Sequence, residues 1–254
     1  MSAEDRRAWV EHVMGMPVSV HARGAGAGSA EVDGAVRALA DDLHRLEEVF
    51  STYRPQSQVS RLQRGELTLA DCDEDVREVH RLCETALALT GGAFDAWSAV
   101  PDHPGVFDPT GLVKSWAVAR AARRLDGLEP AFAVGAGGDV LVLPGREAPE
   151  WRIGIEDPRD RRHVLATVPV RDGAVATSGV AARGLHIVDP RSGHRAADVL
   201  SATVVGPSLL WADVFATAAV ALGADAVGWT QGLPGTSGMV VLADGAVHRW
   251  ANAA

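Results

Sequence analysis

The chain has 254 residues, 47% of them hydrophobic, and its 33 acidic against 24 basic side chains give a formal net charge of −9. That length suits one large domain or two small lobes sharing a core, and the apolar share is too high for a disordered chain. The acidic balance speaks against a nucleic-acid partner, because binding a phosphate backbone needs a basic face.

The opening stretch "MSAEDRRAWVEHVMG" mixes acids with arginines and has no apolar centre. A signal peptide or lipoprotein leader is therefore not expected, and the expected location is cytoplasmic. No run is expected to approach the length of a membrane span. "VSVHARG" alternates like a strand and ends in the glycine-rich turn "GAGAGS". "AEVDGAVRALADDLHRLEEVFS" has helical periodicity, with Val32, Val36, Leu39, Leu43, Leu46 and Phe50 as its apolar stripe. "STYRPQSQVSRLQRG" is a polar connection with a short helix. "DEDVREVHRLCETALALTGG" is a second helix closed by Gly91 and Gly92.

Cys72 and Cys83 are the two cysteines, and no CxxC or Cys/His cluster suggests zinc. On one continuous helix they would lie too far apart for a disulfide, and reduced thiols are expected. "FDAWSAVPDHPGVFDPTG" reads as a loop and "LVKSWAVARAARRL" as a third helix ending near Gly127. "AFAVGAGGDVLVL" is a strand, a glycine turn and a strand. "WRIGIEDP" and "HVLATVPVRDGAVATSG" are strand-like, with a hairpin expected at Asp172-Gly173. "LHIVDPRSG" reads as a short strand entering a turn, "LSATVVGPS" as a strand and "WADVFATAAVALG" as a buried helix. "GMVVLADGAVHRW" is a terminal hairpin turning at Asp244-Gly245. Helices and strands mix without strict βα alternation, which favours α+β over a doubly wound sheet.

Several residues could carry chemistry. Asp213 and Thr217 are four apart on the apolar helix and so share one face. They read either as an N-cap or first-turn acid with a small core residue, or as carboxylate and hydroxyl ligands of a hard cation such as magnesium. Asp108, Pro109, Thr110 and Gly111 form a turn opening a helix, a place that attracts anions. Lys114 in its first turn is either a solvated surface lysine or the counter-charge of a bound phosphate.

Gly135, Gly137 and Gly138 allow a close backbone approach or simply a tight hairpin. No GxGxxG precedes a helix, so a Rossmann site is not expected. Ser178-Gly179 could lie near phosphate. His186, with Asp189 three residues on, is either a strand histidine or a general base, and His194 reads as surface. Tyr53, the single tyrosine, is a loop anchor or a ring that stacks on a flat ligand such as a flavin.

In their order along the chain, "VMGMPVSV", "VFSTYRPQSQVSRL", "GGAFD", "DPTGLVKSWAV", "AVGAGGDV", "WRIGIEDP", "VATSG", "HIVDPRSG" and "SATVVGPSLLWADVFATAAVALG" resemble the ApbE family, the FAD:protein FMN transferases. The resemblance implies an α+β fold of mixed sheets with packed helices and a site between two lobes. It implies one catalytic domain over 1–254, possible as two interleaved lobes. FAD is the implied substrate and Mg2+ the implied metal. The FMN half is transferred to a Ser or Thr hydroxyl of an acceptor protein, such as a flavin-carrying subunit of an electron-transfer system, and AMP is released.

By the same resemblance, Asp213, Thr217 and the Gly111 carbonyl are metal ligands, and Met14 and Tyr53 contact the flavin. Ala93, Phe94, Asp95, Asp108, Lys114 and Ile187 contact FAD elsewhere; Ser178 and Gly179 are expected to bind it too, from their own place in the sequence rather than from the resemblance. His186 is the base for the acceptor hydroxyl, and Lys114 neutralises phosphate charge. The chain departs from the family pattern at Ser115, usually Gly, at Gly135, usually Asn, and at Leu185, usually Ser. Two alternatives stay open: a magnesium-dependent FAD pyrophosphatase giving FMN and AMP, and a non-enzymatic FAD-binding protein.

Overall fold

The computed structural model describes residues 5–97, 105–146, 150–180 and 187–253. Four helices separate the first two strands from the rest. Strands β1 (Arg6–Val13) and β2 (Met16–Arg23) form a hairpin. Then come α1 (Ala30–Phe50), α2 (Gln58–Gln63), α3 (Glu74–Leu89) and α4 (Thr110–Ala122). Strands β3 (Ala131–Ala136), β4 (Asp139–Leu143), β5 (Trp151–Asp157), β6 (Asp160–Val170), β7 (Gly173–Gly179) and β8 (Val199–Gly206) follow. Helices α5 (Leu209–Leu222) and α6 (Ala226–Thr230) lead to the closing hairpin of β9 (Ser237–Leu242) and β10 (Val247–Ala251).

Eight strands form one sheet in the order β1-β2-β3-β4-β7-β8-β9-β10, with every neighbour antiparallel. One face packs against the helices in a single large core. The hairpin of β5 and β6 lies on the opposite face, where Trp151, Ile153, Val168 and Val170 meet Val140, Val142, Val175 and Val205. The α+β expectation holds.

The helices form for the reasons their patterns suggest. Ser29 caps α1 by accepting the Val32 N–H at 3.2 Å, and Glu31 and Asp33 sit in the first turn, where acids suit the helix dipole. The six residues expected on its apolar stripe are the six buried ones. Helix α5 is buried almost all round, with Ser208 as its N-cap. It packs on β7, β8 and α4 at once, so it has little need of a polar face.

Among the described residues one helical stretch, Leu209–Thr230, is long and apolar enough to cross a membrane, contrary to the expectation of no such run. It is the central helix of this core. Cys72 lies just before α3 and Cys83 within it, so they do not share one helix; both are buried and free.

Other features add to the sequence reading or depart from it. The charged N-terminal stretch contains β1, of which only Val13 is buried. An edge strand needs little apolar surface, and β1 is anchored by the Trp9 indole N–H donating to Asp33 Oδ1 at 3.1 Å. Asp172-Gly173 does not turn a hairpin. Strand β6 pairs with β5, whereas β7 pairs with β4 and β8. Gly173 has φ +117°, and a Cβ there would lie 2.7 Å from the Gly206 oxygen, so the glycine serves the passage of the chain from the outer hairpin into the main sheet. In "LHIVDPRSG" the described part is a turn, with a single bridge between Val188 and Arg195. Asp189 organises it by accepting from the Arg191 N–H and guanidinium and from the Ser192 hydroxyl.

Candidate active site

Helices α4 and α5 meet the sheet where β4 begins and β7 ends, and three charged side chains converge there. Lys114, the fifth residue of α4, is hydrogen-bonded through Nζ to Asp139 Oδ2, and its Nζ is 3.4 Å from Asp213 Oδ2. Asp139 opens β4 after the glycine turn. Its Oδ1 accepts the Thr177 N–H of β7 at 2.9 Å, so the side chain continues the β4–β7 ladder one step past the last paired residue. Asp213 is only 3% exposed, and its Oδ2 is buried without a hydrogen-bond partner. The 3.4 Å contact is longer than a good hydrogen bond.

The charges are unbalanced: two carboxylates face one ammonium. Burial and the neighbouring Asp213 charge push the Asp139 carboxyl above the ordinary range, against the pull of Lys114 and the Thr177 N–H. Burial works against the Lys114 ammonium, but the two aspartates more than offset it and hold its pKa above that of an ordinary lysine. The reading of Lys114 as a solvated surface lysine therefore does not apply.

Thr217 stands one turn beyond Asp213, and its Oγ1 is 2.8 Å from Ser178 Oγ at the end of β7. Asp213 has an oxygen without a donor, and a positioned hydroxyl shares its helix face. That donor set fits a hard cation. Among the described residues no three His, Cys, Asp or Glu side chains group to hold a metal. Further ligands would then be a carbonyl, water or substrate phosphates. Asp213 is not an N-cap, since Ser208 takes that role.

Around this cluster, Gly111 lies in the first turn of α4 under the Phe94 ring, where a Cβ would be 3.3 Å from Phe94 Cε2. Phe94 is held by its N–H donating to Thr90 Oγ1 at 3.0 Å, and Ala93 is buried beside it. Asp95 Oδ1 accepts the Trp97 N–H, and Asp108 Oδ1 accepts the Thr110 N–H, shaping the two turns before α4. Gly137 separates Met16 from Lys114, with Met16 Sδ at 3.2 Å and Lys114 Cδ at 3.5 Å from where its Cβ would be. Gly179 ends β7 against the Leu200 oxygen, and Ile187 is buried. His186 and Leu185 lie outside the described residues.

Met14 and Tyr53 lie in two loops apart from this cluster. Met14 and Gly15 make the β1–β2 turn with φ of +54° and +70°. A non-glycine residue in that region is uncommon and marks local strain. Its N–H donates to Glu47 Oε1 at 2.7 Å, while Glu47 Oε2 accepts from Arg54 Nη2 at 3.0 Å. Glu47 thus ties the Met14 turn to the loop carrying Tyr53, which is 94% exposed. If that pair forms a flavin platform, Glu47→Ala should weaken FAD binding about tenfold in a flavin-fluorescence titration. Glu47→Gln, which keeps an acceptor for Met14, should cost less. Unchanged affinity in Glu47→Ala would mean the turn holds itself.

Sequence reasoning missed Asp139 and Glu47. Asp139 follows the glycines of "AVGAGGD", whose spacing draws attention to the turn and not to the acid after it. Glu47 resembles any acid on the solvated side of a helix. Two departures can now be placed. Ser115 is buried, and its hydroxyl donates to the Leu112 oxygen at 3.0 Å, which makes it a packing residue of α4. Gly135 pairs with Ser19 of β2, and its Cβ would lie 2.8 Å from Ser19 Oγ. It alternates with the core-facing Val134 and Ala136, so it faces away from the helices that carry Lys114 and Asp213.

The ApbE family model matches residues 14–100 and 101–238. No curated protein sequence matches the chain. Among solved structures, the fold is similar to the ApbE protein from Thermotoga maritima, with a TM-score of 0.82 at 23% identity over 96% of this chain and 97% of that one. It is also similar to the flavin transferase ApbE from Vibrio cholerae, with a TM-score of 0.76 at 22% identity over 98% of each chain. The apo form of the flavinyl transferase ApbE from Pseudomonas stutzeri gives a TM-score of 0.78 at 23% identity over 98% of this chain and 95% of that one.

Proposed function

The chain belongs to the ApbE family, and from that premise we propose that it is a flavin transferase, moving the FMN half of FAD onto a Ser or Thr hydroxyl of an acceptor protein with the help of magnesium. The observation that carries this reading is the buried, donor-free Asp213 Oδ2 on the same helix face as the Thr217 hydroxyl, with Lys114 beside it. Asp213, Thr217 and the Gly111 carbonyl would hold the metal. When bound, magnesium supplies charge neutralisation at the FAD pyrophosphate.

The chain's own residues position and balance charge. Ser178 holds the Thr217 hydroxyl in place. Lys114 offers a fixed ammonium toward the oxygens on which negative charge builds as AMP departs. Phe94 covers Gly111 and leaves no room for a side chain there. The acceptor oxygen attacks the phosphorus on the FMN side. A P–O bond forms to the Ser or Thr, the bridging P–O bond breaks, and AMP leaves with the bridging oxygen. A neutral hydroxyl is a poor nucleophile, so its proton needs a base, and His186 is assigned that role from the family resemblance.

The test is AMP release from FAD with magnesium, in the presence and absence of a protein domain carrying a flavinylation site, followed by the intact mass of that domain. AMP together with an acceptor heavier by one FMN phosphoryl group supports the transferase. AMP with an unmodified acceptor favours the pyrophosphatase, in which water replaces the hydroxyl. FAD binding without AMP leaves a binding protein.

A further inference from the structure

Lys114 stands between two buried carboxylates and does not divide itself evenly. It is hydrogen-bonded to Asp139 Oδ2 but lies 3.4 Å from Asp213 Oδ2, which accepts no hydrogen bond. A buried carboxylate oxygen without a donor is unfavourable. The ammonium could relieve it by moving about 0.6 Å, to an ordinary charged hydrogen-bond length. Something therefore keeps it away.

The asymmetry has a visible source. Asp139 is fixed from its other side, because its Oδ1 accepts the Thr177 N–H at 2.9 Å and this pins the carboxylate in the plane of the β4–β7 ladder. The Lys114 stem passes beside the Gly137 turn that leads into Asp139, with Cδ 3.5 Å from the position of a Gly137 Cβ. The head of the lysine is thereby drawn toward β4 and away from α5.

We propose that Asp139 is a positioning residue that holds the Lys114 ammonium off Asp213, so that Oδ2 stays open for a divalent cation. This rests on the metal reading given under Proposed function. Among the described residues the other ion-pair partner of Lys114 is Asp213, so without Asp139 the ammonium competes with the cation for the same oxygen. Asp139 acts through Lys114 and needs no direct contact with the metal.

The experiment is a cycle of Asp139→Asn and Lys114→Met in the full chain without FAD. The readout is the Mg2+ concentration giving half of the Mg2+-induced rise in Tm. Asn keeps the Thr177 bond through Oδ1 but presents an NH2 group to the lysine, which cannot accept from it. In the parent background Asp139→Asn should raise the half-point about tenfold or more. In the Lys114→Met background, where no ammonium can move, the same change should raise it distinctly less.

Equal shifts in the two backgrounds would mean that Asp139 acts only as a nearby charge, and would overturn the proposal, as would no shift in either. A parent chain with no Mg2+-dependent rise in Tm would bring down the metal reading, and this inference with it. Because Lys114→Met is expected to weaken the fold, a crystal structure of Asp139→Asn alone gives a second readout. Lys114 Nζ should lie within hydrogen-bond distance of Asp213 Oδ2, and an ammonium still 3.4 Å away would refute the proposal.

Discussion

Asp213→Asn is expected to lower magnesium-dependent AMP release from FAD by about a hundredfold to a thousandfold, the scale of losing one well-placed electrostatic stabiliser. The fold should not suffer. In the metal-free protein Asp213 is a buried carboxylate with an oxygen that no donor satisfies, in a cluster with one negative charge in excess. Replacing it by a neutral group of the same shape removes that excess and leaves the Lys114–Asp139 pair intact. The Tm in EDTA should therefore equal or exceed that of the parent chain, whereas the rise on adding Mg2+ should disappear. Turnover unchanged at saturating FAD would remove Asp213 from the metal site. A large fall of Tm in EDTA would make it a structural partner of Lys114 instead.

Lys114→Met should have the opposite character. It leaves Asp139 and Asp213, whose side chains are 1% and 5% exposed, facing each other with no ammonium between them. Breaking a buried ion pair by removing one partner typically costs about 3–5 kcal/mol, so a loss of that order is expected in urea unfolding at pH 8 with EDTA. The pH dependence follows from the direction of the Asp139 shift. A carboxyl held above its unfolded value in the folded state binds protons more readily when folded, so the folded state gains relative stability as pH falls. Removing the ammonium strengthens that shift. The deficit should be greatest at pH 8 and shrink on acidification, and Mg2+ should restore more stability to the variant than to the parent. A deficit under about 1 kcal/mol at pH 8, the scale of an exposed pair, would show that the Lys114 contacts contribute little to stability.

What the sequence makes legible is what depends on local spacing. The stripe from Val32 to Phe50 announces α1 because helix geometry repeats within a few residues. Asp213 and Thr217 can be placed on one face for the same reason. The passage at Asp172-Gly173 misleads because the dipeptide encodes a local backbone conformation, while the partner of each flanking strand is set by distant chain. Strand β1 is hidden because an edge strand can be mostly charged. Asp139 and Glu47 acquire their roles only in the assembled fold, through Lys114 and Thr177 in one case and Met14 and Arg54 in the other. Neither acid differs locally from the many that stay in solvent. Tyr53 is legible as the single tyrosine, and the structure places it at the surface.

The order of the main sheet follows the order of the chain, yet β2 and β3 are neighbours with four helices between them. Pairing Arg23 with Ala131 closes a loop that holds α1 to α4. Lys114 lies inside that loop, and Asp139 and Asp213 lie beyond it. Loop-closure entropy must be overcome before such a distant pairing yields any return, and it slows folding. A nascent chain released before α5 has emerged can already contain the β1–β2 hairpin and all four helices of the loop, but it lacks one wall of the cation site. Under the proposed function, the cation site would be complete only in chains whose α5 has packed onto β7, β8 and α4.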